Sequence, residues 1–139
     1  MSAHQLHVER AMRASPAALY RAWTQGFERW FAAPGSVAMT ARAGAPFFFQ
    51  TEYMGKRHSH YGRFVRLEPD RLIEMTWLTG AGGTKGAETI VTVTFEPSGD
   101  GTLTKLTHAG FYDQASCDQH AAAWPQVLAQ QDERIGSER

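Results

Sequence analysis

Apolar and polar residues alternate with a period of two along most of the chain, and at three places the period lengthens to that of a helix. In Gln5–Met12, Leu6 and Val8 oppose His7 and Glu9, which predicts a half-buried first strand. Ser15-Pro16 then opens a helix, because a serine hydroxyl accepts from free first-turn N–H groups and a proline at the first helical position gives up no needed donor. Leu19, Ala22 and Trp23 form its apolar stripe, and Gly26 offers the left-handed residue that ends such a helix. Residues 27–32 repeat the helical spacing with Phe27, Trp30 and Phe31, until Pro34-Gly35 stops it.

From Val37 the period returns to two, predicting strands at 37–41, 46–53, 58–67, 72–78, 89–96 and 102–111. The breaks between them are short and rich in Gly, Pro and Asp, so successive strands pair as antiparallel hairpins; a parallel return needs about a dozen residues or more. In the strand at 72–78, Ile73, Met75 and Trp77 share a face, and in the next Val91, Val93 and Phe95 do. In the last strand, Lys105 marks the solvent side, which turns Thr102, Thr104, Leu106 and His108 inward unless a bulge intervenes. Residues 118–135 form the third helical stretch, with Trp124, Val127, Leu128 and Ile135 near one face. A helix with one apolar face must bury it, and the sheet is the available surface. The chain therefore reads as one α+β domain, residues 1–139: a strand, two short helices, six more strands and a long C-terminal helix against a curved antiparallel sheet. Pro125 cannot donate to a helix interior, so the long helix is expected to begin close to it.

Composition narrows the function classes. Fourteen basic residues balance 14 acidic ones without a charged block, so neither nucleic acid nor an anionic membrane is expected as a partner. No run approaches the ~20 apolar residues of a membrane span, and the first ten residues lack a signal-peptide core, so a soluble cytoplasmic protein is expected. Cys117 is the sole cysteine, which excludes an internal disulfide. Aromatics are plentiful: eight Phe, four Trp and four Tyr.

Several stretches, in order, resemble one family. Residues 14–24 with Trp30-Phe31-Ala32-Ala33-Pro34 resemble the opening motif of the heat-shock protein ninety ATPase activator homologues. Tyr61-Gly62, Leu67-Glu68-Pro69-Asp70 and Trp77 are similar to its central hairpin. Residues 91–97, 101–104 and 106–111 are similar to its last hairpin, and His120 and Trp124 stand where its histidine-and-tryptophan signature falls. The resemblance implies the START-like (SRPBCC) helix-grip fold, also that of Bet v-like proteins, with a hydrophobic cavity between sheet and helix. The chain departs from the family pattern with Ala123 for a glycine and Gln131 for a leucine. Gln131 puts a polar group on the helix's inner face and is expected to loosen the grip toward the C-terminus.

Stiff aromatics lining a curved sheet are hard to close without a gap, and small-molecule sites are mostly apolar. The expected lining is Trp23, Trp30, Phe49, Tyr61, Trp77, Val93, His108, Trp124 and Leu128, around a small hydrophobic or aromatic molecule. His108 is the polar group to watch, since histidine titrates near neutral pH. His120 is expected to be structural, through a bond at the helix start or contact with Trp124. His58-x-His60 has a chelating spacing but no third ligand nearby, and reads as a surface pair. Residues 80–86, glycine-rich between two strands, suit a hairpin loop that lids the cavity, not a phosphate cradle. No nucleophile elbow, metal motif or cofactor motif is present. Three readings follow: a non-catalytic binder; a polyketide cyclase- or aromatase-like enzyme using His108 with a tyrosine; and a chaperone ATPase activator-like protein partner. Self-association as a homodimer is compatible with each.

Overall fold

Strand β1, Gln5–Met12, forms as its alternation predicts, and Ser15 then caps helix α1, Pro16–Gln25, by accepting from the Ala18 N–H at 3.1 Å. The computed structural model of the chain describes residues 4–80 and 83–139. Six strands follow: β2 Ala38–Met39, β3 Pro46–Tyr53, β4 Lys56–Glu68, β5 Leu72–Thr79, β6 Thr89–Ser98 and β7 Gly101–Ala109. Helix α2, Gln114–Ile135, closes the chain. The seven strands make one antiparallel sheet in the order β1-β7-β6-β5-β4-β3-β2. The helix pair inserted after β1 lets β1 return beside β7, so the first strand ends up next to the last.

The inward face is the predicted one. Ile73, Met75 and Trp77, Val91, Val93 and Phe95, and Thr102, Thr104, Leu106 and His108 are all buried. The bulge in the sheet falls in β4, between Phe64 and Arg66, so the β7 alternation holds. Thr76, on the other face of β5, is buried as well, because its hydroxyl accepts from the Arg63 N–H across the β4–β5 pair. That close approach needs Gly62: a side chain there would run into the Thr76 carbonyl.

Four local expectations are corrected. Residues 27–32 form a single 3-10 turn, Phe27–Arg29, because the Phe27 carbonyl takes the N–H groups of Trp30, Phe31 and Ala32 together and no ladder propagates. Gly26 sits at φ −137°, outside the left-handed region, since it passes straight into that turn. The strand expected at 37–41 shrinks to two residues, as β2 pairs only Ala38 with Phe48 and Met39 with Phe47. Pro125 lies deep inside α2, which starts eleven residues earlier, where the Asp113 carboxylate accepts from the Ser116 N–H at 2.8 Å. The proline is tolerated because Ala121, whose carbonyl loses its partner, is exposed, so water can satisfy that carbonyl.

A continuous aromatic cluster fills the space between α1, the 3-10 turn, the sheet and α2. Trp23 lies 5.0 Å from Trp30 and 6.1 Å from Trp124, and Phe27 stacks on Phe49 at 4.6 Å between ring centroids. The Trp30 indole donates to the Ala22 carbonyl at 2.9 Å, tying the turn to α1. Gln130 donates to the Trp30 carbonyl at 2.6 Å, tying α2 to the turn. No helix among the described residues is long and apolar enough to cross a membrane.

Candidate functional site

Helix α2 touches the sheet unevenly. Toward its C-terminus, Leu128, Gln131, Asp132 and Ile135 are buried, and Asp132 is gripped from β1 and the bend just after it: its carboxylate accepts from the Arg13 N–H at 2.9 Å and from the Arg10 guanidinium at 3.4 Å. Arg13 also donates to the Asp132 carbonyl at 2.7 Å. The expected loosening at Gln131 is therefore corrected. The ion-paired Asp132 next to it holds this end down, even though the buried Gln131 amide has no hydrogen-bond partner among the described residues.

The space opens at the other end. A cleft of about 850 Å³ runs between the β3–β4 hairpin and the stretch of α2 from Gln119 to Gln130. Phe31, Trp77 and Trp124 supply its aromatic floor, with Trp77 centred 5.4 Å from Trp124 and 6.5 Å from Phe31. Thr51, Glu52, Tyr53 and Arg57 form the hairpin rim, and Gln119, Ala122, Ala123, Gln126 and Gln130 form the helical wall. Arg57 is engaged at that rim, 3.6 Å from Glu52 and 3.2 Å from the Gln50 amide oxygen. Gly80 and Gly83 reach the cleft from the β5–β6 loop. The lid expected over 80–86 rests partly on Ala81 and Gly82, which lie outside the described residues. The flanking Thr79 and Thr84 bond reciprocally, each hydroxyl accepting the other's backbone N–H, at 2.9 and 2.6 Å.

Of the expected lining, Trp77 and Trp124 border this cleft, and Tyr61 touches it only from the strand, because the β4 alternation turns its exposed side chain to the face opposite His60. Trp23, Trp30, Phe49, Val93, His108 and Leu128 are wholly buried in the core behind it. His108 has both nitrogens engaged. The Trp124 indole N–H donates to Nδ1 at 3.0 Å, so Nδ1 carries no proton. The proton therefore sits on Nε2 and is donated to the Thr89 hydroxyl at 2.7 Å, which in turn donates to the Trp77 carbonyl. Protonating Nδ1 would break the first of these bonds, and burial, with a smaller repulsion from His120, pushes the ring's pKa down to about 2. The acid–base role considered for His108 has no free nitrogen to use.

Three other histidines line the cleft instead: His58 on the exposed hairpin, His60 and His120. His60 was expected on the surface with His58. Its ring stacks on Phe49 at 4.9 Å with planes 8° apart, and its Nε2 lies 3.1 Å from the Thr51 hydroxyl. Burial, then repulsion from His120 and His58, lowers its pKa to about 3. The clue was in the alternation: His60 and Phe64 fall on one face of β4, and Phe64 is fully buried. His120 bonds to the helix start, as expected, through Nδ1–H to the Ser116 carbonyl at 2.8 Å, but it also lines the cleft. The helical spacing of Gln119, Ala122, Ala123, Gln126 and Gln130 marks that wall, a signal hidden by their lack of apolar bulk. No cluster of three metal-ligating side chains occurs among the described residues.

With this geometry in place, the comparisons are specific about family and silent about ligand. The family profile described as Activator of Hsp90 ATPase homolog 1-like protein matches residues 13–136. A crystal structure of a Chromobacterium violaceum protein superposes with a TM-score of 0.82 at 23% identity, over 96% of this chain and 97% of that one. A Mesorhizobium loti protein gives 0.75 at 24% identity, over 94% and 96%. The Aha1 dimer from Colwellia psychrerythraea, solved in solution, gives 0.71 at 17% identity, over 96% and 98%. No curated protein matches the chain.

Proposed function

This chain belongs to the Activator of Hsp90 ATPase homolog 1-like family, and from that premise we propose that it is a non-catalytic binding protein, holding a small hydrophobic or aromatic molecule in the cleft between sheet and α2. The fold is one that commonly binds ligands. The observation that carries the reading is the cleft itself: its volume, about 850 Å³, falls in the range of small-molecule sites, and its floor is aromatic, from Phe31, Trp77 and Trp124. Polar groups around that floor, from Thr51, His60, His120 and the three glutamines, suit orientation of a bound molecule more than chemistry on it.

Two of the four tryptophans, Trp77 and Trp124, border the cleft, so binding should change intrinsic fluorescence. Titration with naphthalene- and flavonoid-type aromatics is expected to give saturable quenching, reduced in Trp77→Phe. If no member of an aromatic panel perturbs the emission, and hydrogen exchange in α2 and β3–β4 is also unchanged, the reading fails. Self-association is a second reading, favoured by Phe48, Tyr61 and Ile90, which are exposed on the outer sheet face, and by the dimeric Colwellia relative. A molar mass of one chain by light scattering, across a hundredfold concentration range, would remove it.

A further inference from the structure

We infer that the cleft selects an uncharged aromatic carrying a hydrogen-bond donor, such as a phenolic hydroxyl, and that Nε2 of His120 receives that donor. This rests on the binding reading above and adds the chemical class of the ligand. A backbone carbonyl can only accept, so the 2.8 Å bond to Ser116 requires the proton on Nδ1 of His120. In the neutral ring, Nε2 is then a bare lone pair. It has no partner among the described residues and is not sealed from solvent, and His120 lines the cleft. The ring is wedged in place, edge-on to His108 at 5.0 Å and 83° and beside Phe111 at 4.9 Å. Turning it over would forfeit the Ser116 bond, so the acceptor is fixed in direction as well as in tautomer.

Its neighbours define the remainder of the ligand. Trp77 is centred 5.4 Å from both Trp124 and His60, their planes tilted by 55° and 56°, so the inner wall is aromatic and favours an aromatic ligand body. Among the described residues that line the cleft, Arg57 is the one arginine or lysine, and it stands at the rim, already paired with Glu52 and Gln50. Burial also lowers the pKa of both His60 and His120, keeping the inner wall neutral.

Three probes of one shape test this: 2-naphthol, 2-methoxynaphthalene and 2-naphthoate, titrated against the full chain at neutral pH. The naphthol is expected to bind about tenfold more tightly than the methoxy compound, the equivalent of one net hydrogen bond, with the naphthoate weakest. In His120→Phe, which keeps a flat ring and removes the acceptor, that preference should fall to about one. Nitrogen-15 spectra of the wild-type imidazoles give a readout independent of any variant: His120 should carry its proton on Nδ1, and the Nε2 resonance should move on adding naphthol. Equal affinity of naphthol and methoxynaphthalene, tightest binding by the naphthoate, or the opposite tautomer overturns the inference and leaves the binding reading standing. Binding by none of the three overturns both.

Discussion

The two ends of α2 meet the same sheet in opposite ways. From Leu128 onward the helix is sealed against β1, with Asp132 held by Arg10 and Arg13 and Ile135 buried. Before Leu128 it stands away from β3 and β4, and glutamines and alanines face a cleft. Apolar side chains do not explain the difference, since the sealed end contains Gln131 and the open end contains Trp124. What differs is the opposing strand. β1 and the residue after it bring two arginines within reach of one helix carboxylate, whereas the β3–β4 hairpin faces the helix across the cleft. His108 and Trp124 mark the border, bonded to each other, the first enclosed in the core and the second at the cleft floor.

The largest expected effect tests the border. Burial holds His108 near 2 and His60 near 3, whereas an unfolded histidine titrates near 6.5, so between these values the unfolded chain takes up protons that the fold refuses. Stability should be complete above about pH 6.5 and fall as pH drops, at about 1.4 kcal/mol per pH unit for each histidine, or ~5 kcal/mol for both over two units. In His108→Gln, urea unfolding from pH 6.5 to 4.5 should lose one such increment of slope. An unchanged slope would mean that His108 is not sealed.

Leu128→Ala should then cost about 2–5 kcal/mol, as for deletion of a fully buried side chain. Val127→Ala, half-buried at the cleft wall, should cost about 1 kcal/mol or less and show instead in aromatic binding. Similar losses at the two neighbours would erase the contrast between sealed and open ends. Gln131→Leu is expected to raise stability by ~1–3 kcal/mol, since it removes a buried amide without partners. Probe binding should stay as it was; a fall in stability would reveal a partner for that amide.

The smallest effect is at the anchor. Burial pushes the Asp132 carboxyl up, but bonds from Arg13 and Arg10 outweigh it, and its pKa lies below the usual carboxylate value. A lowered pKa contributes stability above the unfolded value, near 4, which is lost as pH falls through the folded one. Asp132→Asn should therefore cost about 1 kcal/mol at pH 7, with the gap to wild type closing below about pH 4. A gap that persists in acid would assign the anchor to hydrogen bonds alone.

By itself, the order of residues determined most of the elements and the inward faces of β5, β6 and β7. Ser15-Pro16 at a helix start and Ile73-x-Met75-x-Trp77 along a strand act over a few residues, where backbone sterics and side-chain period decide the outcome. Trp77 and Trp124 at the cleft were legible in the same way, as large side chains on inward faces. Only the tertiary structure decided which buried groups are spent and which remain available. His108 and His120 are both inward-facing imidazoles, yet one is consumed by Trp124 and Thr89, brought from other elements, while the other keeps a lone pair that no described residue reaches. Likewise, Pro125 could sit inside a helix only because Ala121, the residue four before it, came to lie on the solvent side. Hydrogen-bond saturation and solvent access depend on partners distant in the chain, which local pattern does not encode.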